Sequence, residues 1–368
     1  MPEVDVLVAG AGPTGLTLAL EMARRGHQPR IVDRRAAPFG GSRGKGLTAR
    51  TQEVFDEALC PFPDSSSWQF QGVPLADIDP DGHFPEPSLD YFQRILDDIA
   101  VKPGVLLSRP SWLSTYRVNV RMVDRLRVRR VFLAGDAAHV HSPAAGLGMN
   151  TGIQDSYNLG WKLSAVLSGA DEALLDTYQE ERLPVAAWTL STSSAGLQRI
   201  AEQFAAEDSL GIAAAASKDG HQLAISYRFS SLSRRSAGVI GGPEPGDRAP
   251  DAPCQTTAGD PIRLFDVFRG PHFTALGFGG SGSCVAALER LRRQFSGDLR
   301  CRLVGQANEL NADIIDHRGD ARSAYQIGDD LLVVVRPDGY CGFTAQPSDE
   351  LAVHDYLARF VTPGSLIT

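Results

Sequence analysis

Residues 4–33, VDVLVAGAGPTGLTLALEMARRGHQPRIVD, decide the fold. The first six, VDVLVA, are a short apolar run with β-branched side chains, ended by glycine; this is the pattern of a buried parallel strand. Residues 14–25 follow with helical spacing, Leu16, Leu20 and Ala23 on one face, and Gly26 is a natural stop. RIVD at 30–33 reads as a second strand. Strand, helix and strand make a βαβ unit. Its first turn is Gly10-Ala11-Gly12-Pro13-Thr14-Gly15. In this GxGxxG arrangement Gly10 permits a tight turn, Gly12 lets a pyrophosphate approach the backbone, and Gly15 lets helix and strand pack closely. The helix N-terminus offers N–H groups and a partial positive charge to phosphates. Asp33 ends the second strand, 18 residues after Gly15, where a carboxylate can accept ribose hydroxyls.

A second stretch, VFLAGDAAHVHSPAAGLGMN at 131–150, narrows the dinucleotide. VFLA reads as another buried strand, and Gly135 and Asp136 follow it. A carboxylate there can hold a ribitol hydroxyl of FAD. Pro143 to Asn150 form a glycine-containing loop opening into a helix over 150–168. N–H groups at that helix start would face a flavin pyrimidine and stabilise negative charge on the reduced ring. An NAD dehydrogenase has no need of this second site. His139 and His141, two apart in a loop without a nearby cysteine or acid pair, do not make a metal site.

Composition bounds the rest. The 368 residues are 43% hydrophobic, enough for two or three packed domains and too many for a disordered chain. A formal charge of −8 argues against nucleic acid as the main partner, because phosphate binding needs a basic face. No apolar run approaches membrane-spanning length, and the acidic start, Glu3 and Asp5, is unlike a secretory leader. Five cysteines without CxxC or zinc spacing predict reduced thiols in a cytoplasmic protein.

Along the chain, Trp68, Phe70 and Val73 suggest a strand, 88–99 a helix starting at Ser88, and 112–120 an alternating strand. A helix after 170 is expected to break near Pro184 and resume to about Phe204. The Ser-, Gly- and Pro-rich stretch at 230–252 reads as a linker, its centre at 231–245. Beyond it, strands at 273–278, 301–305 and 331–335 with a helix at 284–293 predict a small α/β domain. The basic run Arg121, Arg125, Arg127, Arg129 and Arg130 reads as a solvated edge.

At these motifs the chain resembles the class A flavin monooxygenases, the para-hydroxybenzoate hydroxylase-like family, and within it the hydroxylases that tailor aromatic polyketides. The matching stretches are 5–57, 111–192 (with NTGIQDSYNLGWKL and LLDTYQEERLPVA) and 246–343, the last similar to that subgroup's thioredoxin-like C-terminal domain. The resemblance implies an α/β FAD-binding parallel-sheet fold from 1–57 and 131–230, a substrate region at 58–130 and a thioredoxin-like domain at 246–368. It implies that Gly12, Pro13, Thr14 and Gly15 cradle the pyrophosphate and Asp33 the ribose. Arg43 and Arg50 would lie on the phosphate and flavin sides, Asp136 at the ribitol, and Gly146, Gly148, Met149 and Asn150 along the isoalloxazine. NADPH would reduce the FAD, and O2 would then be used to hydroxylate a small aromatic substrate, with no side-chain nucleophile. A homodimer or a tailoring-enzyme partner is compatible with the resemblance.

The chain departs from this family in two places. Between Glu57 and residue 131 it is much shorter than its relatives, lacking most of a substrate-covering sheet, so an open, water-exposed site is expected. At the redox turn of a thioredoxin it has Gly280-Ser281-Gly282-Ser283-Cys284, one thiol where a disulfide needs two. Two other readings stay open: a degenerate member that serves as a scaffold, and a non-redox polyketide cyclase.

Overall fold

The computed structural model describes residues 4–37, 47–51, 85–99, 106–110, 119–142, 146–205, 218–279, 282–295, 297–306 and 311–361, with isolated positions at 77, 81, 83, 104, 113–114 and 309. The opening unit forms where its pattern places it. Strand β1 (Val6–Ala9), helix α1 (Pro13–Ala23) and strand β2 (Pro29–Val32) follow in order. The strands pair in parallel from Val6↔Pro29 to Ala9↔Val32. Pro13 stands in the first turn of α1, where its missing N–H costs nothing.

Next come α2 (Leu89–Ile99), β3 (Arg121–Met122), β4 (Arg127–Val128), β5 (Val131–Phe132) and β6 (His139–Val140). The Ser88 hydroxyl accepts from Tyr91 N–H at 3.1 Å and caps α2. β3 pairs with β6 and β4 with β5, each as a two-stranded antiparallel piece. The expected strand at 112–120 is not formed at its described positions, and the expected strand at 67–73 lies outside the described residues. Two long helices follow, α3 (Gly148–Leu167) and α4 (Asp176–Ala205). α4 runs through Pro184 without the expected break. Buried Glu181 and Arg182 before the proline, and Val185 and Ala186 after it, anchor both halves.

The parallel sheet is smaller and more open than the sequence pattern predicts. Among the described residues β1 pairs only with β2, and VFLA contributes a two-residue hairpin strand instead of a buried one. Leu7, Val32 and Val131 are 62%, 46% and 65% exposed. The helix face is also reversed. Leu16 and Leu20 face outward, while Thr17, Ala19 and Met22 are buried. The cause is packing: a parallel strand is buried only when both faces are covered, and α1 instead closes against α3. A Cβ on Gly152 would lie 2.5 Å from Thr14 Oγ1, and one on Gly160 2.7 Å from Glu21 Cβ, so α3 needs both glycines to approach α1.

The second unit has β7 (Arg234–Arg235), β8 (Pro253–Thr256), β9 (Pro261–Arg263), α5 (Leu264–Phe268), β10 (Phe273–Phe278), α6 (Gly282–Gln294) and β11 (Leu299–Gly305). It continues through β12 (Ile314–Ile315), α7 (Asp320–Ala324), β13 (Leu331–Val335), β14 (Cys341–Ala345) and α8 (Glu350–Leu357). The eight strands form one mixed sheet in the order β7-β14-β13-β10-β11-β12-β8-β9. β10, α6 and β11 make a parallel crossover, and β13 and β14 add antiparallel to β10. Every residue of β10, β13 and β14 is buried, as their continuous apolar runs require. One sheet face packs on α6 and α8 together with Trp161, Leu174 and Leu232; the other packs on α5 and Tyr325. The stretch read as a linker is therefore built in. β7 pairs with β14, and Leu232 is fully buried.

Cys254, Cys284, Cys301 and Cys341 are buried and form no disulfide among the described residues. Burial, with Asp330 and Glu309 adding to it, pushes the Cys284 thiol up to about 12, which replaces the lowered value that a helix start would give. In a Cys60→Ser background, the native protein is expected to react with none of these four thiols within minutes of adding Ellman's reagent. All four should react in guanidinium. No reduction of insulin disulfides should be seen; a Cys284-dependent rate would refute the assignment.

Candidate cofactor site

The three glycines of the first turn have different jobs in space. Gly15 is a packing glycine, since a Cβ there would lie 1.9 Å from Gly10 O. Gly10 has φ +114, which L side chains rarely adopt. A Cβ on Gly12 would meet nothing within 4 Å. Among the described residues nothing fills the space before Gly12, which leaves it open to a ligand. Asp33 pins this turn, accepting from Ala11 N–H and Arg35 N–H at 2.8 Å each. The Ala11 bond first, and the Arg35 bond second, lower its pKa, so the carboxylate stays charged at neutral pH.

Thr14 joins three motifs that are far apart in sequence. Its Oγ1 stands 2.5 Å from a Cβ on Gly135 and from one on Gly152. Its carbonyl accepts from Ser156 Oγ at 2.7 Å. The glycine turn, the Gly135-Asp136 turn and α3 thus meet at one residue. Gly135 has φ +57 and begins a short 3-10 turn, Gly135–Ala137, on which Asp136 is exposed.

Asp155 of α3 holds that turn from behind. Its Oδ2 accepts from Gly135 N–H at 3.0 Å and lies 2.8 Å from His139 Nε2, while Oδ1 accepts from Arg182 Nε at 2.7 Å. Burial pushes its pKa up, but the Arg182 charge, the His139 bond and the Gly135 N–H outweigh this and hold it at about 2. Arg182 also donates to Tyr227 OH and to Thr151 O. Neither Asp155 nor Arg182 stood out in the sequence as a site residue. Burial, which only the tertiary structure decides, points to them: 150–162 is buried throughout yet carries Asn150, Thr151, Gln154, Asp155, Ser156, Asn158 and Lys162, all of which need partners.

At the start of α3, Gly146 has φ +65 and, among the described residues, no atom within 4 Å of a Cβ. Gly148 packs on His141, whose ring is 2.8 Å from a Cβ there. The helix's own ladder opens with Thr151 N–H to Leu147 O, so the Gly148 and Met149 N–H groups precede it and are placed for a ligand. Two expected ring-side residues turn inward instead. Asn150 is fully buried, donates to Gly146 O and accepts from Thr48 N–H, which braces the loop. Arg50 donates to Asp338 O at 2.7 Å and lies 5.1 Å from the centre of the Tyr340 ring, both in the second unit. Arg43 and Pro143 lie outside the described residues. In the basic run Arg121, Arg125, Arg129 and Arg130 are exposed, as a solvated edge requires, while Arg127 pairs with Glu172 and Asp176. The His139 and His141 rings stack at 6.1 Å, and no group of three metal-ligating side chains occurs among the described residues. No helix among them is long and apolar enough to cross a membrane.

The family model described as an FAD binding domain matches residues 3–60 and 64–193. The chain is 31% identical to a flavin-dependent monooxygenase of Mycobacteroides abscessus, with 97% of the chain and 100% of the relative covered. That alignment spans 516 positions, more than the 368 residues here, so the relative has segments with no counterpart in this chain. The family match is interrupted at 61–63, close to Glu57, where the sequence places the shortening. The 6-methylpretetramide 4-monooxygenase of Streptomyces rimosus is 46% identical over 37% of the chain, and only 24% of that relative is covered. Among solved structures, aklavinone-11 hydroxylase in a ternary complex with FAD and aklavinone superposes with a TM-score of 0.72 over 98% of this chain and 99% of that one. At 20% identity this likeness speaks to the fold alone.

Proposed function

The chain belongs to the FAD-binding-domain family of flavin-dependent monooxygenases, and from that premise we propose that it hydroxylates a polycyclic aromatic, polyketide-like substrate with NADPH and O2. The observation that carries this is the convergence at Thr14, where the glycine turn, the Gly135-Asp136 turn and the body of α3 meet. FAD, when bound, supplies the redox chemistry. The chain's own residues bind and orient it. The open faces of Gly10 and Gly12 admit a pyrophosphate to the backbone, Asp33 remains an anion for the ribose, and exposed Asp136 stands beside the same turn for the ribitol. The Gly148 and Met149 N–H groups, at the positive end of α3, would face developing negative charge on the ring. The second unit is read as a thioredoxin-like domain without a redox pair, from its β10-α6-β11 crossover followed by β13, β14 and α8. Asn150 and Arg50 are reassigned as braces behind the site.

One observation favours a second reading, a member of this family without oxygenase activity. Among the described residues the β1–β2 sheet has two strands, with Leu7 and Val32 exposed, and a substrate site covered that thinly would exclude water poorly. The visible spectrum of the purified protein, followed by NADPH consumption with anthraquinone-like substrates, tests both. Bound flavin with coupled product supports the first reading; flavin without coupled product supports the second, and a colourless protein that cannot be reconstituted removes the first. Asp136→Ala is expected to lower FAD occupancy at least tenfold with little change in stability, since the side chain is exposed. Unchanged occupancy would remove Asp136 from the site.

A further inference from the structure

Besides the apolar packing of Trp161 on Phe273 and Phe360, the second unit meets the cofactor helix through a tight polar turn, Arg336-Pro337-Asp338-Gly339-Tyr340. Arg336 N–H donates to Tyr340 O at 2.8 Å, and Gly339, at φ +78, makes the reversal. Asp338 Oδ2 accepts from Trp161 Nε1 at 2.9 Å and from Asn158 Nδ2 at 3.4 Å, both on α3. The carbonyl of Pro337 accepts from Tyr157 OH, also on α3, at 3.2 Å. The carbonyl of Asp338 accepts from Arg50, beside Thr48, whose N–H is held by Asn150. Arg336 is fully buried and pairs with Glu181 of α4 and with Asp338. On the far side, Tyr340 lies 4.4 Å from Tyr227, ring to ring, and Tyr227 accepts from Arg182, the partner of Asp155. Two routes of direct contact therefore run from this turn to the cofactor site, one to the start of α3 and one to the Gly135 turn.

We propose that the Arg336–Tyr340 turn is a positioning element of the cofactor site: it fixes the rotation of α3 about its axis and holds Arg50, so that the second unit tunes FAD binding without touching FAD. The inference rests on the reading of the α3 N-terminus as a flavin contact. Three polar side chains of α3, Tyr157, Asn158 and Trp161, are spread over about one helical turn, and each is tied to the Arg336–Tyr340 turn; such a set resists rotation as a single bond cannot. The carboxylate of Asp338 is surrounded by donors alone, so an amide in its place must set one N–H against Arg336, Trp161 or Asn158.

The test uses the full chain and three variants. Asp338→Asn is expected to raise the FAD dissociation constant about tenfold, within the range of coupling changes at residues away from a ligand. Tyr157→Phe, which removes only one hydroxyl, should give a smaller rise. Phe278→Leu is the control: it loosens the second unit on the sheet face away from α3, and it should lower the melting temperature while leaving FAD affinity within twofold. Equal effects of Asp338→Asn and Phe278→Leu on affinity, at matched loss of melting temperature, would show mere stabilisation and overturn the proposal. Hydrogen exchange of the protein without FAD separates this inference from the cofactor reading. Faster exchange at 147–151 in Asp338→Asn but not in Phe278→Leu supports it even if the wild type takes up no FAD; unchanged exchange there sinks it.

Discussion

Glu181→Gln is expected to lower the unfolding free energy by about 3–5 kcal/mol, the usual result of breaking a buried ion pair from one side. Glu181 sits between the two units with no exposed side-chain surface. Its Oε1 accepts from Arg336 Nη1 at 2.6 Å and Ser230 Oγ at 2.7 Å. Its Oε2 accepts from Lys162 Nζ and Asn158 Nδ2 at 2.7 Å and from Arg336 Nη2 at 3.0 Å. With Asp338, the cluster holds two carboxylates and two cations. Burial pushes the Glu181 carboxyl up, but Arg336 and Lys162 outweigh this and hold it below the usual range. Burial lowers the Lys162 ammonium to about 8, against the opposing pull of Glu181. Removing the Glu181 charge leaves one cation unmatched in a place water does not reach. The neutral amide must also turn an N–H towards a donor. Urea unfolding followed by circular dichroism measures the loss. Adding Lys162→Met to Glu181→Gln should recover part of it, because Arg336 and Asp338 remain a matched pair. A loss below about 1 kcal/mol, or no recovery, would mean that the cluster does not join the units energetically.

Asp155→Ala is expected to strip FAD from the protein as isolated and to destabilise it by about 3 kcal/mol, since Arg182 would be left buried and unpaired. The Gly135 turn would lose the acceptor of its N–H, and Asp136 stands on that turn. Asp155→Asn separates the charge from the shape. The wild-type carboxylate has its pKa lowered from 3.8 to about 2. A lowered carboxylate stabilises the fold above the unfolded value, and this contribution is lost as pH falls from about 4 through about 2; it amounts to roughly 2–3 kcal/mol. The difference in stability between wild type and Asp155→Asn should therefore shrink as pH falls through that window. A difference independent of pH would show that the charge on Asp155 is not what holds the turn.

How much of the site was legible differs residue by residue. Gly10, Gly12, Gly15 and Asp33 were legible because a nucleotide turn is a local device: a strand end, a tight turn and a helix start lie within a few residues. Gly135 and Asp136 were legible as a motif, but their supports were not. Asp155 and Arg182 look in sequence like ordinary helix residues, and only the crossing of α3 and α4 behind the turn gives them partners. The placement of Asn150 and Arg50 towards the ring came from the family resemblance alone. In space they brace the loop and the second unit. A side chain's direction depends on what its helix packs against, and that contact is not local.

The same division runs through the fold. By itself the sequence determined the βαβ start, the helix α3, and the strands β10, β11 and β13, because periodicity and apolar runs encode structure over five to twenty residues. Only the tertiary structure decided which faces are buried. Leu16 and Leu20 carry a proper amphipathic stripe yet face outward, because α1 closes against α3 with its other face, and Leu7 and Val131 lie in strand patterns yet are exposed. Conversely, the polar Lys162, Glu181, Arg336 and Asp338, up to 176 residues apart in sequence, are buried together. Burial is a property of neighbours, and neighbours come from closing the chain on itself.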